Sequence, residues 1–357
     1  MRAPGLPGPP LVANASPLYY APCAAVRPTE GGAQPSPRGF RLTPILHLAP
    51  LHGVTNCVFR NAFFSHFSGF DAAVAPFIPS VNAASVRETH FKDLLPPANS
   101  GIPLIPQILG NDADQFVATA KILKDFGYDE VSWNLGCPYP MVANKKRGSG
   151  LLPFPDLIEK FLEGACSRSA LPISVKARLG RTERGELLRL MPVFNSFPLR
   201  RIVIHPRIAT QMYEGEVDLD GFSEAAAEST HEVMYNGDIK DAATFASLQA
   251  RFPSIGQWMV GRWALSDPFL ASALKGAPPP ADPVRVVRDF HDELLDGYRG
   301  ILSGQKHVLD KMKEVWTFLG LSFSGSDRNL KRICKANTLE AYGTAVAAVF
   351  EGEDWIA

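Results

Sequence analysis

Nowhere among its 357 residues does the sequence hold about 18 apolar residues in a row, so no membrane-spanning helix is expected. It has no surplus of charge either. The 36 basic and 36 acidic side chains leave a formal net charge of zero with histidines neutral. That excludes a protein whose whole surface grips nucleic acid, although it leaves room for a local basic face. Cysteine is scarce: Cys23, Cys57, Cys137, Cys166 and Cys334 are odd in number, widely spaced and never arranged as C-x-x-C. Neither a disulfide framework nor a metal site is expected. An export signal is missing too. Arg2 is the only early positive charge, and Pro4, Pro7, Pro9, Pro10 and Pro17 interrupt the place an apolar signal core would occupy. These absences point to a cytoplasmic protein with no membrane partner and no obligate protein partner.

What is present falls into three blocks. Residues 1–43 are rich in Pro, Gly, Ala and Ser with no apolar period, a composition that cannot offset its own ordering entropy, and disorder is expected there. No methionine stands between Met1 and Met141, so a later start would need an unusual codon. Over 44–276, short apolar runs alternate with amphipathic stretches. The runs are Ile45–Ala49, Ala72–Ala75, Leu104–Ile108, Glu130–Trp133, Ile173–Val175, Ile202–Ile204, Val233–Tyr235 and Trp258–Val260. They read as parallel strands covered on both faces. Helical patterns separate most of them: Asp112–Phe126, for example, has Phe116, Ala120, Leu123 and Phe126 on one face. The connection over 76–103 is long and irregular, a length that usually carries function or hidden local structure.

Eight such alternations predict an α/β fold of the TIM (β/α)8 type, with a doubly wound open sheet as the alternative. The barrel is favoured because every run ends in polar or special residues, which a barrel would gather on one face. After Gly276-Ala277-Pro278-Pro279-Pro280, which reads as a linker, residues 281–357 predict a small all-α helical bundle. Charge is uneven in it. Segment 299–335 carries +5, between −3 over 281–298 and −4 over 336–357.

Several run ends carry chemistry. Asn134-Leu135-Gly136-Cys137-Pro138 presents a thiol at a tight turn, where it can donate a proton, attack or simply be a small buried residue. Lys176 and Arg178 lie two apart on one strand face, and a lysine inside a barrel needs an anion or an electron-rich ring. Gln107 ends an apolar run with a polar amide. His205-Pro206-Arg207, with Gln211 and Tyr213 close behind, can hydrogen-bond a ligand. Asn236-Gly237-Asp238 and Gly261-Arg262 follow the seventh and eighth runs, where this fold often holds a phosphate. Glycine lets backbone N–H groups approach an anion, Arg262 can pair with it, and a helix opening near Asp241 would add its dipole. Ordinary strand-to-helix turns are the plainer alternative.

Taken in order, these segments resemble the tRNA-dihydrouridine synthase family from about residue 45 to 350. The motifs that carry the resemblance begin with Leu48-Ala49-Pro50-Leu51-His52-Gly53-Val54-Thr55, with Phe59-Arg60 after it, and Pro106-Gln107. Asn134 to Pro138 follows, with Gly148-Ser149-Gly150-Leu151-Leu152, then Val175-Lys176-Ala177-Arg178-Leu179-Gly180. His205-Pro206-Arg207 with Gln211, Asn236-Gly237-Asp238-Ile239 and Gly261-Arg262 complete the set. The resemblance implies an FMN-bearing barrel, reduced by NADPH or NADH, with a C-terminal helical domain that binds tRNA. It implies that Pro50, Leu51, His52, Gln107, Lys176, His205, Asn236, Gly237, Asp238, Gly261 and Arg262 hold FMN. Cys137 matches the general acid. Asn134, Arg178 and Arg207 would face the substrate, and cationic groups, His205 and Arg178 among them, would steady the charged pyrimidine. Lys306, Lys311, Lys313, Arg328, Lys331, Arg332 and Lys335 would meet tRNA phosphates, while Trp316 and Phe318 read as bundle core. Three segments depart from the family pattern: Leu51-His52 with Asn56, Tyr139-Pro140-Met141, and Pro206. The helix with Lys311-Met312-Lys313 and Trp316 leans toward the subtype acting on position 16 of the D-loop. A flavin barrel acting on a free small molecule, like dihydroorotate dehydrogenase, and an inactive RNA-binding protein remain as alternatives.

Overall fold

The computed structural model describes residues 43–82, 86–99 and 101–357, so the segment expected to be disordered lies almost wholly outside them. Leu42–Ala357 forms one compact unit. Among the described residues, ten strand segments build a single curled, all-parallel sheet. They are β1 Ile45–Leu48, β2 Ala72–Val74, β3 Ile78–Pro79, β4 Leu104–Ile105, β5 Gln107–Leu109, β6 Val131–Leu135, β7 Ile173–Gly180, β8 Arg201–Ile208, β9 Glu232–Tyr235 and β10 Gln257–Val260. The order is β3-β5-β6-β7-β8-β9-β10-β1-β2-β4. Only Pro106 separates β4, which pairs with β2, from β5, which pairs with β6. Proline has no N–H to donate to a neighbouring strand, but its carbonyl accepts from Ser132 N at 2.9 Å. One continuous segment therefore serves both ends of the strand order.

The intervening helices are α1 Cys57–His66, α2 Ala113–Asp125, α3 Pro140–Ala143, α4 Pro155–Cys166, α5 Gly185–Asn195, α6 Leu219–Glu228, α7 Ala242–Arg251, α8 Arg262–Ser266 and α9 Leu270–Leu274. Their starts are written in the sequence. Asn56, Asp112, Asp218 and Asp241 each accept a backbone N–H three residues on, and Pro140 and Pro155 take first helical positions. The helices cover the outward faces of the strands. Trp133 of β6, for instance, stacks on Phe161 of α4 at 3.9 Å between ring centroids. The connection over 76–103 contains β3 and two 3-10 turns, Glu88–Leu94 and Pro96–Ala98. Buried Arg60 anchors it by donating to Thr55 O, to Asp93 and to Asn99 Oδ1.

Inside the curl the side chains form three tiers. The middle tier is mostly apolar: Ala49, Val74, Val203, Met234 and Met259, with Ile105 against them, while β6 and β7 contribute Ser132 and Ser174. Two residues earlier along the strands lies a polar tier of His47, Glu130, Arg201, Glu232 and Gln257, mostly buried. Two residues later, at the strands' C-terminal ends, lie Asn134, Lys176, His205, Asn236 and Gly261.

The chain ends in α10 Pro283–Ile301, α11 Gln305–Leu319, α12 Ser326–Lys335 and α13 Leu339–Gly352. Helix α10 docks on α1, where Phe290 meets Phe59, Phe63 and Phe67 edge-on at centroid distances of 5.8, 6.1 and 5.1 Å. Trp316 lies in the helical core, as the sequence predicts, donating to Tyr342 Oη at 2.9 Å. No helix among the described residues is long and apolar enough to cross a membrane. Cys57, Cys137, Cys166 and Cys334 are free thiols.

Candidate active site

The C-terminal ends of the strands open into a cavity of about 830 Å³, counting its mouth. All eleven residues expected to hold a cofactor line it, and so do Cys137, Asn134 and Arg178. Arg207 does not.

The thiol is set by its neighbours. Asn134 donates from Nδ2 to Gln107 Oε1 at 2.6 Å, and Gln107 donates onward to Ser132 Oγ at 3.1 Å. That leaves Asn134 Oδ1 to accept from Gly136 N at 3.1 Å and Cys137 N at 2.9 Å, which folds the turn. From the other side, Ser149 donates both its N–H and its hydroxyl to Cys137 O. Gly148, at φ +54°, lies so close that a Cβ there would come within 2.9 Å of Cys137 Cβ. Burial raises the Cys137 pKa, against opposing effects of the Tyr139 backbone N–H and the Arg178 charge. The group therefore holds its proton at neutral pH, as an acid must and a thiolate nucleophile does not.

Cations gather around it. Lys176 reaches the cavity from β7 and makes no hydrogen bond or ion pair among the described residues. Burial, and then Arg178, push its pKa down to about 7. Arg178 donates to Gly136 O and Ile208 O, each at 3.0 Å. Tyr213 lies between two guanidiniums, with Arg178 5.2 Å and Arg262 4.8 Å from its ring centroid. The preceding Met212 is held at φ +52°, a conformation non-glycine residues seldom adopt, and this turn carries the ring to the mouth.

Asp238 is the one carboxylate in the cavity wall. Burial pushes it up, but hydrogen bonds from Arg207 and the charges of Arg207 and Arg262 prevail and hold it below the usual carboxylate range. Arg207 is 1% exposed, and its donors go to Asp238, Glu214 O, Gly215 O and His205 Nε2. Its place is behind the wall rather than facing a substrate. Because arginine only donates, His205 Nε2 accepts and the ring hydrogen sits on Nδ1. Burial, followed by the charges of Arg178, Lys176, Arg207 and Arg262, holds His205 well below its ordinary pKa. It is a neutral hydrogen-bonding group, not the cation the sequence suggested. The N-terminus of α7 carries its own cap, Asp241, which accepts from Thr244 N at 2.7 Å. At Gly237 a Cβ would sit 2.3 Å from Tyr235 Oη, so packing also calls for glycine there.

Three lining residues escaped sequence reasoning. Phe77 stacks on His52 at 4.8 Å and 7° between planes; Tyr139 and Trp263 also face the cavity. Phe77 and Tyr139 stand outside regular elements and Trp263 in the five-residue α8, and none of these carries a spacing signal. Far from the thiol in sequence, Lys306, Arg328, Lys331, Arg332 and Lys335 are exposed. The last four fall at helical spacings of three, four and seven along α12, and none forms an ion pair among the described residues. Lys313 is half-buried on α11, while Lys311 turns inward to Gly53 O at 2.6 Å.

The residues present fit a flavin mononucleotide. An unpaired lysine with two arginines suits a phosphate-bearing cofactor. Gly261 leaves open a space that a Cβ would fill, 3.4 Å from Ala49 Cβ.

Comparison with known proteins agrees. The family model described as dihydrouridine synthase matches residues 47–343. A probable tRNA-dihydrouridine synthase of Rhodobacter capsulatus is 29% identical, over 74% of this chain and 81% of its own. A tRNA-dihydrouridine synthase B of Pasteurella multocida is 26% identical, over 65% and 69%. A tRNA-dihydrouridine(16) synthase of Neisseria meningitidis is 28% identical, over 64% and 70%.

Proposed function

Because the chain belongs to the dihydrouridine synthase family, we propose that it reduces the C5–C6 double bond of D-loop uridines in tRNA, using FMN and NADPH or NADH. The observation that carries this reading is the buried thiol of Cys137, its pKa raised by burial, lining a cavity with three cations and one carboxylate among the described residues. Pro50 to His52, Gln107, Lys176, His205, Asn236 to Asp238, Gly261 and Arg262 would hold the cofactor. A flavin held there and reduced by the nicotinamide would supply the hydride needed at C6 of the uracil ring. Cys137 then gives the proton that C5 requires, and Asn134 keeps the thiol in place through its two backbone hydrogen bonds. Arg178 steadies negative charge on the pyrimidine, and neutral His205 offers a fixed hydrogen bond instead of a second charge. A stacked base must leave the RNA to reach this depth.

In this reading residues 44–276 make a closed (β/α)8 barrel, completed through Pro106, and residues 281–357 make the tRNA-binding domain. The four cations on α12 face solvent and suit phosphates. Four free thiols suit a cytoplasmic setting. The target position is left at the D-loop. Lys311 and Trp316, which leaned toward position 16, are engaged inside the protein, and relatives named for synthase B and for position 16 match at 26% and 28% alike.

The test is direct. Purified protein should bind FMN and, with NADPH or NADH, form dihydrouridine in tRNA. A protein that takes up no flavin, or turns over without modifying tRNA, overturns the reading. Changing Arg328, Lys331, Arg332 and Lys335 together to Gln should leave flavin uptake intact. It should also flatten the salt dependence of tRNA binding by a log–log slope of about 3.

A further inference from the structure

The tier of cavity residues nearest the mouth is not held by the sheet alone. Pro50, Leu51 and His52 wall the cavity between β1 and α1. Their loop turns at Gly53, whose φ of +87° suits glycine. Within the loop, Val54 N and Thr55 N both donate to Leu51 O, at 3.0 and 3.1 Å, and Leu51 N donates to Thr55 Oγ1 at 2.9 Å. The outside of the turn is covered by α11, from the far end of the chain. Lys311 Nζ donates to Gly53 O at 2.6 Å and is itself paired with Glu314 at 3.1 Å. A Cβ on Gly53 would stand 3.2 Å from Glu314 Oε1, so the two surfaces are in contact. Just beyond the loop, Tyr298 of α10 donates to Asn56 Oδ1 at 3.3 Å, the same oxygen that caps α1. Glu314 also stands near the turn that bears the thiol. It is among the groups that raise the pKa of Tyr139, after burial and the neighbouring Tyr213 and Cys137.

We infer that Lys311 is a positioning residue for the cofactor: by gripping Gly53 O it fixes the Pro50–Gly53 wall, so the C-terminal helices complete the flavin cavity. This rests on the flavin reading above. It gives Lys311 a task different from the phosphate contact expected of it. A charge-assisted hydrogen bond to a backbone carbonyl is among the stronger single contacts a surface loop can have. Arg60 holds the loop's far end through Thr55 O, and Lys311 holds its tip at Gly53 O. His52 is exposed, and Gly53 and Leu51 are only half-buried.

The experiment compares wild type with Lys311→Met and Lys311→Arg, using two measurements on the full chain. Titration of the flavin-free protein with FMN should give a dissociation constant about tenfold higher for Lys311→Met, largely restored in Lys311→Arg. Hydrogen exchange in the cofactor-free protein should show the Val54 and Thr55 amides opening about tenfold faster in Lys311→Met. The affinity for tRNA should not move. If exchange and FMN affinity are both unchanged, the inference is wrong. It is equally wrong if only tRNA affinity falls, which would make Lys311 a phosphate contact. Should Lys311→Met not fold, Lys311→Gln carries the same test. A wild type that binds no FMN sinks the functional reading, and the exchange rates alone then decide whether Lys311 holds the loop.

Discussion

The two ends of the sheet's interior are both rich in charge, yet they differ in how that charge is met. At the N-terminal end Glu130 accepts from Ser174 and pairs with Arg201 at 2.9 Å and Arg200 at 2.7 Å. Arg201 donates on to Gln257, and Gln257 to Glu232. Two carboxylates face two guanidiniums, so the formal charges balance, although His47 and Arg201 Nε keep unpartnered nitrogens among the described residues. At the C-terminal end Lys176, Arg178 and Arg262 face a cavity whose single carboxylate, Asp238, is already shared by Arg262 and Arg207. Charge satisfied within the fold marks structure; charge left over marks a place for something else. That distinction separates a buried ionic network from a binding site even when both contain Arg, His and Asp or Glu.

The sharpest way to break this contrast is at the thiol. Cys137→Ala should lower turnover on tRNA by about a hundredfold or more while FMN uptake and melting temperature stay near wild type. Equal dihydrouridine formation would show that the proton comes from elsewhere. At the opposite end, Glu130→Gln should do the reverse. Leaving Arg201 buried without its partner should cost about 3 kcal/mol of stability in a denaturant titration, with FMN affinity in the surviving fold little changed. Lys176→Met should weaken FMN binding by about tenfold and remove a pH effect. With its folded pKa near 7 against an ordinary 10.5, Lys176 sheds its proton in the native state first. Cofactor-free wild type should therefore gain stability as pH rises from about 7 toward 10.5, and the variant should lack that gain. The smallest effect belongs to His47, whose two buried ring nitrogens have no well-formed hydrogen bond among the described residues. Burial, then Arg201, lower its pKa to about 4. His47→Leu should be nearly neutral at pH 7, since an unpartnered polar group is exchanged for an apolar one. Its signature lies in acid: wild type loses stability as pH falls from 6.5 toward 4, and the variant should lose less over that range.

Much of this was legible in the sequence, for identifiable reasons. Each of the eight apolar runs falls on the sheet, because residues such as Leu46, Trp133 and Val260 must be covered whichever face they take. The runs at Ile173 and Ile202 looked too short. Strands β7 and β8 continue to Gly180 and Ile208 because Lys176, Arg178, His205 and Arg207 extend the backbone while their side chains leave the apolar pattern. Polar residues hid the strand ends for the same reason that they make the site. The short helices α3 and α8 carried no period to read. Lys176 was visible as an expensive residue on an apolar strand, but the inward turns of Lys311 and Arg207 were not. A basic side chain on a helix or at a strand end reads the same whether it meets solvent or a carbonyl distant in sequence. Gly53 and Lys311 are 258 positions apart.

The apolar middle tier has a consequence of its own. Ala49, Val74, Ile105, Val203, Met234 and Met259 act as the insulating layer of a capacitor, with an ionic plate on either side. Arg201 and His205 are four residues apart on one strand, about 13 Å along it. Across so thin and mostly apolar a layer, charges at the two ends still feel one another. The cations at the open end find no counter-charge in the layer beneath them. Apart from Asp238, the negative charge that answers them has to enter from outside.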